Sequence, residues 1–343
     1  MARTWRFPYV WLSIALMVVA LGGIGAVALH AVPAGANATA TPPSALKPVV
    51  LPGLTVTPLA TAAPSPTSTP EAPSVIPTSS ATPTNLPSAT PASTPTPAPS
   101  PTAPPEPTPD GQVRTASVPI LMYHYISDPP AGADAYRLDL SVRPKEFEAQ
   151  LAHLRAEGYQ SITLEDLTRH LTRGTPLPRK PIILTFDDGY LDNFLYAFPL
   201  LHQYQFKGTF FVVASFLDEG AAGYMSWEQV RLLQESGMEI GSHGYTHVDL
   251  RLEWGNGLVQ QTAGSREAIE AHLQKPVRFF CYPSGRYNQR TIDALRAAQY
   301  WGAVTTDPGA THASNGLFTL KRVRVHGGKD IAWFADLLAY YTP

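Results

Sequence analysis

The segment PIILTFDDGY, residues 181–190, joins a short apolar run to two adjacent carboxylates. The run is typical of a β-strand that would present Asp187 and Asp188 at its carboxyl end. Neighbouring carboxylates repel each other unless they share a cation or a proton, so the pair is useful as a metal site and costly otherwise. Taken alone, the segment is also compatible with a turn whose carboxylates are solvated. A metal site would need further ligands elsewhere in the chain.

Two histidines can supply those ligands. In the segment GSHGYTH, residues 241–247, His243 and His247 stand four positions apart, so both imidazoles could reach one ion. One carboxylate oxygen and two imidazole nitrogens suit zinc, cobalt or nickel and leave positions open for water and substrate. Structural zinc sites are usually closed by four protein ligands. Although either histidine alone could be a surface residue, their combination with the aspartates predicts a catalytic metal site.

Composition narrows the class of protein. The chain has 343 residues, a formal net charge of -2 and no basic run, which argues against nucleic-acid binding. Its single cysteine, Cys281, excludes an intramolecular disulfide and is compatible with any compartment. Evidence on the compartment must therefore come from the N-terminus.

The N-terminus has the features of an export signal. Arg3 and Arg6 precede an uncharged apolar segment from about Tyr9 to Leu29. This segment has roughly the 20 residues needed to span a bilayer and is longer than the apolar part of a typical signal peptide. Small residues after it could nevertheless be read by a signal peptidase. We therefore assign residues 1–32 to a membrane anchor or a cleaved signal, either of which exports the rest of the chain.

Residues 33–116 have low complexity. Proline alternates there with threonine, serine and alanine, and charged residues are scarce. Such a segment cannot bury enough apolar surface to offset the entropy of ordering it, and proline favours extended conformations. We expect a disordered spacer, which leaves residues 117–343 for one large domain or two small ones.

Residues 117–343 alternate short β-like runs with helical patterns. The apolar run 118–123 predicts a strand, and the spacing of apolar residues between Pro144 and Glu157 predicts a helix. Repeated β-then-α units imply a parallel sheet, most simply a closed or nearly closed barrel. Active residues of such barrels collect at the carboxyl ends of the strands. The aspartate pair, the histidine pair and the turn at 282–285 are all expected there.

These motifs resemble those of the polysaccharide deacetylases of carbohydrate esterase family 4, which share a NodB-homology domain. TFDDG at 185–189 resembles the first family motif, the histidine pair resembles the second, and FCYPSG at 280–285 stands in the place of the third. The resemblance covers about Pro119 to Val325, and the first two motifs together are highly specific. It implies an α/β fold, a single distorted (β/α) barrel of about seven strands, as the catalytic domain at 117–343.

The resemblance also implies the reaction and the role of each motif residue. The reaction is metal-dependent hydrolysis of the N-acetyl group on N-acetylglucosamine units of a polysaccharide, which releases acetate. Asp188, His243 and His247 would hold one divalent ion, by preference zinc, and Asp187 would act as general base. A backbone N–H at Ser284 would stabilise the oxyanion. The general chemistry of metal ions agrees with these roles, because a divalent ion lowers the pKa of its bound water and polarises the acetamide carbonyl.

The proton donor departs from the usual family pattern. Many members take it from a late Leu-x-His motif, but this chain has Leu320-Lys321-Arg322 at that place. Tyr-His at 123–124 resembles instead the opening motif of the deacetylases that act on poly-N-acetylglucosamine, whose acid histidine comes from the start of the domain. We therefore expect His124 to protonate the leaving amine, with His326 as the alternative.

A second departure concerns the arginine of the third motif, because Cys281 stands in its place. Arg322 could replace that arginine by pairing with Asp187. We also assign Arg322 and Tyr282 to substrate binding. Other aromatic residues near the motifs could stack on sugar rings or pack in the core.

Together these expectations describe an extracytoplasmic, metal-dependent polysaccharide deacetylase, which we expect to be a monomer. Peptidoglycan, poly-N-acetylglucosamine and chitin stay open as substrates, and zinc, cobalt and nickel stay open as the metal. One alternative function is a non-catalytic carbohydrate-binding module tethered to the cell surface. Another is hydrolysis of a different amide or ester. The intact aspartate and histidine pairs argue against the binding module.

Overall fold

The computed structural model of the chain describes residues 109–342. The predicted N-terminal segment, 1–32, and residues 33–108 of the predicted spacer lie outside the described residues. Between residues 109 and 342, no helix combines the length and the apolar character needed to cross a membrane.

The described residues form strands and helices in alternation. The strands are β1 (Thr115–Ser117), β2 (Ile120–Tyr123), β3 (Gln160–Ser161), β4 (Pro181–Phe186), β5 (Thr209–Val212), β6 (Glu239–Ser242), β7 (Phe279–Cys281), β8 (Gly302–Pro308), β9 (Thr311–Ala313) and β10 (Leu320–Arg324). The α-helices are α1 (Ala135–Asp139), α2 (Pro144–Ala156), α3 (Leu164–Arg173), α4 (Phe198–Tyr204), α5 (Ala214–Asp218), α6 (Trp227–Glu235), α7 (Gly255–Val259), α8 (Ser265–Leu273), α9 (Gln289–Ala297) and α10 (Ile331–Tyr341). π-Helical turns at Asn193–Ala197 and Gln260–Gly264 precede α4 and α8, and 3-10 turns span Pro283–Gly285 and Ser314–Thr319.

Seven parallel strands close into a barrel. Their order is β2-β4-β5-β6-β7-β8-β10, and β10 pairs with β2 to complete the ring. Strand β3 pairs with the first residues of β4, while β1 and β9 form a separate antiparallel pair. Since the interior and the surrounding helices cover both faces of the barrel strands, β2 and β5 are buried along their whole length. The predicted α/β barrel of about seven strands is confirmed.

Local signals set several element boundaries. Thr163 caps α3 by accepting a hydrogen bond from the backbone N–H of Asp166, whose side chain in turn accepts from the backbone N–H of Thr163. Helix α2 begins at Pro144 and ends at Ala156, close to the predicted range. Helix α4 is preceded directly by the π-helical turn at Asn193–Ala197. A π-helical turn inserts a residue into the helical ladder, which apolar spacing does not reveal.

The ordered domain extends slightly beyond its predicted start. Strand β1 begins at Thr115, ahead of residue 117, and pairs with β9. Just before it, Arg114 forms an ion pair with Asp110 at 2.6 Å, and its backbone N–H donates to Ser314 Oγ. The domain therefore includes a few residues of the segment predicted as spacer.

The carboxyl ends of the barrel strands carry the polar motif residues. His124 follows β2, Asp187 and Asp188 follow β4, His243 follows β6, and Tyr282 follows β7. Because all of these strands run parallel, their carboxyl ends meet at one rim of the barrel. The fold thus brings together residues that are far apart in sequence.

Candidate active site

Asp187 and Asp188 are adjacent in sequence but meet different partners. The backbone N–H of Asp187 donates to the Tyr123 carbonyl at 3.0 Å and continues the β4 pairing. Asp188 has a φ of 72°, in the left-handed region that few residues other than glycine adopt. With this backbone the Asp187 carboxylate meets Arg322, and the Asp188 carboxylate meets His243. Each aspartate therefore has its own positively charged or metal-ligating neighbour.

Asp188, His243 and His247 form a group of three potential metal ligands. Both histidine Nε2 atoms lie 3.3 Å from Asp188 Oδ1. The Nδ1 of His243 lies 2.7 Å from the carbonyl oxygen of Cys281, which can only accept, so the proton sits on Nδ1 and Nε2 is free to bind a metal. One carboxylate and two imidazoles match zinc, cobalt or nickel. These residues therefore fit one divalent ion with coordination positions left open.

A second group of potential ligands, Asp187, His243 and Cys281, is less suited to a metal. Both carboxylate oxygens of Asp187 already accept hydrogen bonds from Arg322. Burial raises the pKa of the Cys281 thiol, which stays protonated, whereas metals bind the thiolate. Of the two groups, the one that contains Asp188 is the better metal site.

Arg322 lies on β10 and is fully buried against Asp187. Its Nη1 and Nη2 donate to the two oxygens of Asp187, each at 2.8 Å. Its Nε donates to the Thr305 carbonyl at 2.8 Å, and Nη1 also donates to Thr185 Oγ1 at 3.0 Å. The Sγ of Cys281 lies 3.3 Å from Nη2. The ion pair expected between Arg322 and Asp187 is therefore present, and the short cysteine side chain adjoins the guanidinium.

Two expectations about substrate binding need correction. Arg322 was expected to bind substrate, but its side chain is 0% exposed and its donors are directed at protein atoms, so that assignment is wrong. Tyr282 is also fully buried, and its hydroxyl donates to the Phe318 carbonyl at 3.0 Å. Tyr282 therefore belongs to the cavity wall and has no free hydroxyl for a sugar.

The local electrostatics keep both aspartates ionised. Burial would raise the pKa of Asp187, but the charge and hydrogen bonds of Arg322 outweigh it and hold that pKa below its usual value. Burial also opposes ionisation of Asp188, yet the neighbouring His243 and His247 hold its pKa well below the usual range. Asp187 is therefore able to accept a proton at neutral pH.

His124 is the histidine that lies beside the aspartate pair. Its Nε2 is 3.8 Å from Asp187 Oδ2, and it lines the same cavity. Burial lowers its pKa, although the nearby carboxylates act in the opposite direction. The alternative, His326, does not line this cavity, and its Nδ1 is 2.6 Å from Asp139 Oδ1. The geometry favours His124 over His326 as the proton donor.

Ser284 lies in a strained turn on the cavity wall. It has a φ of 53°, within the 3-10 turn Pro283–Gly285. The turn is closed by a hydrogen bond from the Gly285 backbone N–H to the Tyr282 carbonyl at 2.8 Å. A Cβ at position 285 would lie 1.9 Å from Thr306 Oγ1, so only glycine fits there. The backbone around Ser284 is thus held in one conformation.

A cavity of about 510 Å³ at the carboxyl end of the barrel is lined by the motif residues His124, Asp187, Asp188, His243, His247, Tyr282 and Ser284. Its volume is in the range of small-molecule sites. Part of its wall consists of residues that the sequence did not single out for a role, namely Tyr125, Arg137, Tyr190, Phe216, Tyr224 and Arg324. For the aromatic residues of this set, the only signal in the sequence was the aromatic content near the motifs. A larger cavity, of about 560 Å³, lies near the start of β4 and α10 and contains none of the motif residues.

Known proteins share these features. Residues 174–303 match the family model described as Polysaccharide deacetylase. The Bacillus subtilis (strain 168) protein YxkH, described as a polysaccharide deacetylase, is 34% identical over 220 residues, which cover 63% of this chain and 74% of YxkH. The chain belongs to the polysaccharide deacetylase family. Enzymes of this family are hydrolases that act on amide C–N bonds.

Two further relatives of this deacetylase are informative. The poly-beta-1,6-N-acetyl-D-glucosamine N-deacetylase of Escherichia coli (strain K12) is 26% identical over 238 residues, which cover 57% of this chain and 35% of that protein. The solved structure of the Streptococcus pyogenes deacetylase PplD, in complex with acetate, superposes with a TM-score of 0.61 at 29% identity. The superposition covers 67% of this chain and 100% of the PplD chain. The similarity therefore spans most of the residues that the structure describes.

Proposed function

We propose that this deacetylase removes N-acetyl groups from N-acetylglucosamine units of a polysaccharide in a metal-dependent reaction outside the cytoplasm. The observation that carries the proposal is the arrangement at the barrel rim. Asp188 forms a group of three potential metal ligands with His243 and His247, while the ionised Asp187 is paired with Arg322 and lies next to His124. This combination supplies a metal site, a base and an acid within one cavity.

Asp188, His243 and His247 are the proposed metal ligands. A divalent ion held there would supply Lewis acidity, which lowers the pKa of water and polarises the acetamide carbonyl. We take zinc as the first choice, with cobalt and nickel compatible with the same donors. Metal content after purification, and recovery of activity when each ion is added to chelated protein, would identify it.

Asp187 is the proposed general base. The two hydrogen bonds from Arg322 orient its carboxylate and keep it ionised. It would take a proton from the water that attacks the acetamide carbon. Because its pKa is held low, a protonated Asp187 is a strong acid and passes the proton on readily.

His124 is the proposed general acid. Since burial lowers its pKa, it is neutral at rest near pH 7 and must gain a proton before it can donate one. Asp187 Oδ2, at 3.8 Å from Nε2, is a suitable source once it holds the proton of the attacking water. His124 would then protonate the amine as the C–N bond breaks and acetate leaves. A backbone N–H at Ser284 would stabilise the oxyanion that forms before this step.

The test is acetate release from N-acetylglucosamine oligomers by the metal-loaded protein. We expect a chelator and the substitution Asp187→Asn each to abolish release, and His124→Gln to reduce kcat by about 100-fold or more. His326→Gln serves as the matched control and should leave kcat nearly unchanged. If correctly metallated protein binds the oligomers but releases no acetate, it is a carbohydrate-binding module and the proposed reaction is wrong.

The location of the enzyme rests on the sequence. The apolar segment within residues 1–32 supports export, either as an anchor or as a cleaved signal, and the proline-rich residues 33–116 would separate it from the barrel. Protease accessibility of the barrel on intact cells would test export, and the size of the mature protein would distinguish an anchor from a cleaved signal. Size-exclusion chromatography would test the expected monomer.

A further inference from the structure

One wall of the active-site cavity is a continuous stack of side chains, here called the aromatic ladder: Arg137, Tyr125, Tyr190, Tyr224 and Phe216. The Arg137 guanidinium lies 3.1 Å from the Tyr125 ring centroid, and Tyr125 stacks on Tyr190 at 3.7 Å. Tyr190 stacks on Tyr224 at 5.2 Å, and Tyr224 contacts Phe216 at 4.6 Å. The rings thus cover one another along the wall.

The stack limits how these aromatic residues can meet a sugar. Arg137 and Tyr190 both lie within 4 Å of the Tyr125 ring, which leaves room for them only on opposite faces. Tyr190 likewise has a ring stacked on it from Tyr125 and another from Tyr224. The ladder therefore offers ring edges and phenol groups to the cavity, and its guanidinium end is the part that carries charge.

Arg137 is held in place without a carboxylate partner. Its Nη1 donates to Ser141 Oγ at 2.6 Å, and Nη2 lies 3.5 Å from Ser127 Oγ. The nearest acidic contacts are indirect, because Asp134 accepts from the backbone N–H of Arg137 and Asp192 accepts from Ser127 Oγ. Within residues 109–342, its guanidinium forms no ion pair. A guanidinium has more N–H donors than these contacts use.

The other arginines of the site differ from Arg137 in this respect. Arg322 has its donors occupied by Asp187 and neighbouring protein atoms. Arg324 lines the same cavity but is paired with Asp139. Of the arginines that line this cavity in the described residues, Arg137 is therefore the one whose guanidinium forms no ion pair, although its charge also acts on Asp192 and Asp134 lines the same cavity.

We propose that Arg137 binds a carboxylate on the sugar unit next to the N-acetylglucosamine that is deacetylated. The substrate would then be an acidic amino-sugar polymer, such as a glycan in which alternate units carry a lactyl ether. This inference rests on the proposed function. A planar guanidinium matches a carboxylate in geometry, and its stacking on Tyr125 orients it before the ligand arrives. A sugar unit with only neutral hydroxyl groups could hydrogen-bond to the phenol groups of the ladder and would not need the guanidinium.

The experiment compares two matched tetrasaccharides. Both alternate N-acetylglucosamine with N-acetylmuramic acid, but in one of them each muramic carboxylate is converted to its neutral amide. We expect Arg137→Ala to raise KM for the acidic tetrasaccharide about 10- to 100-fold with kcat retained, and to change KM for the amidated one less than about 2-fold. Arg155→Ala removes an exposed arginine of α2 and should alter neither value.

Binding to the Asp187→Asn protein, measured by calorimetry, provides a second readout that does not require turnover. There, Arg137→Ala should weaken binding of the acidic tetrasaccharide by the same factor, and added salt should reduce the difference between the two ligands. Equal losses for both ligands would mean that Arg137 only supports the wall, and no loss for either would mean that it does not touch the substrate. Both results overturn the inference. Absence of acetate release from every substrate would instead refute the proposed function, while the binding comparison still reports on Arg137.

Discussion

Replacing Arg322 by methionine tests how the barrel supports Asp187, the proposed base. Methionine has a similar length but carries no charge and no donor. The change removes both hydrogen bonds to Asp187 and leaves that carboxylate buried, with the Cys281 thiol at 3.5 Å and the neutral His124 at 3.8 Å from Oδ2 as its nearby polar side chains. It also removes the donor to the Thr305 carbonyl.

The cost follows from these contacts. A hydrogen bond to a charged group contributes about 1.5–3 kcal/mol, and breaking one side of a buried ion pair costs about 3–5 kcal/mol because the other charge stays uncompensated. We therefore expect Arg322→Met to lower the free energy of unfolding by about 3–5 kcal/mol. We also expect kcat to fall by about 100-fold or more, because burial raises the pKa of Asp187 and only the weaker influence of His124 and His243 would then oppose it.

The assay is urea unfolding followed by circular dichroism, in chelator so that no metal offsets the lost charge. Arg324→Met is the control, because the pair of Arg324 with Asp139 is about one-third exposed and should contribute less than about 1 kcal/mol. In the double variant Arg322→Met/Asp187→Asn, the two losses should not add, with a coupling of about 2 kcal/mol. A loss below about 1 kcal/mol for Arg322→Met, or simple additivity, would refute this account of the ion pair.

Two further predictions concern stability and the shape of the site. Burial raises the pKa of Glu239 to about 7 from 4.5, although Thr209 and the first backbone N–H groups of α3 donate to it. The folded protein therefore holds this proton more tightly, and stability that is fully present below about pH 4.5 is lost as the pH rises through 7, by at most about 3 kcal/mol. Glu239→Gln should flatten this slope in unfolding midpoints measured from pH 4.5 to 7.5, and an unchanged slope would contradict it. Gly285→Ala should destabilise by more than about 2 kcal/mol and lower kcat, because its Cβ would meet Thr306 in addition to the strain of a φ of 67°. Gly220→Ala, at a φ of 60° with open space around it, should cost only about 1 kcal/mol, and equal losses for the two glycines would argue against the steric explanation.

Local sequence patterns were sufficient for much of the fold. The apolar run before Asp187 predicted β4, and the spacing of apolar residues after Pro144 predicted α2. Both signals act between residues that are close in the chain, so they can be read without the tertiary structure. The alternation of strand and helix patterns then limited the fold to a parallel barrel, in which strand ends meet at one rim.

The candidate metal ligands could be predicted from the sequence for a related reason. His243 and His247 form one short motif, and Asp187 and Asp188 form another. The different partners of the two aspartates depend on the left-handed backbone at Asp188, which no local pattern indicated. The division of roles between them was therefore expected only from the resemblance to the deacetylases.

The sequence by itself determined the alternation of strand and helix patterns and the motif residues, because each depends on near neighbours in the chain. Only the tertiary structure decided that Arg322 is buried against Asp187, since its burial depends on the closed barrel and Asp187 lies 135 residues away in the chain. The aromatic ladder likewise depends on the tertiary structure. Arg137 lies on α1 and Tyr125 follows β2, whereas Tyr190 follows β4 and Tyr224 precedes α6; their contacts exist only once the parallel strands place these segments around one cavity.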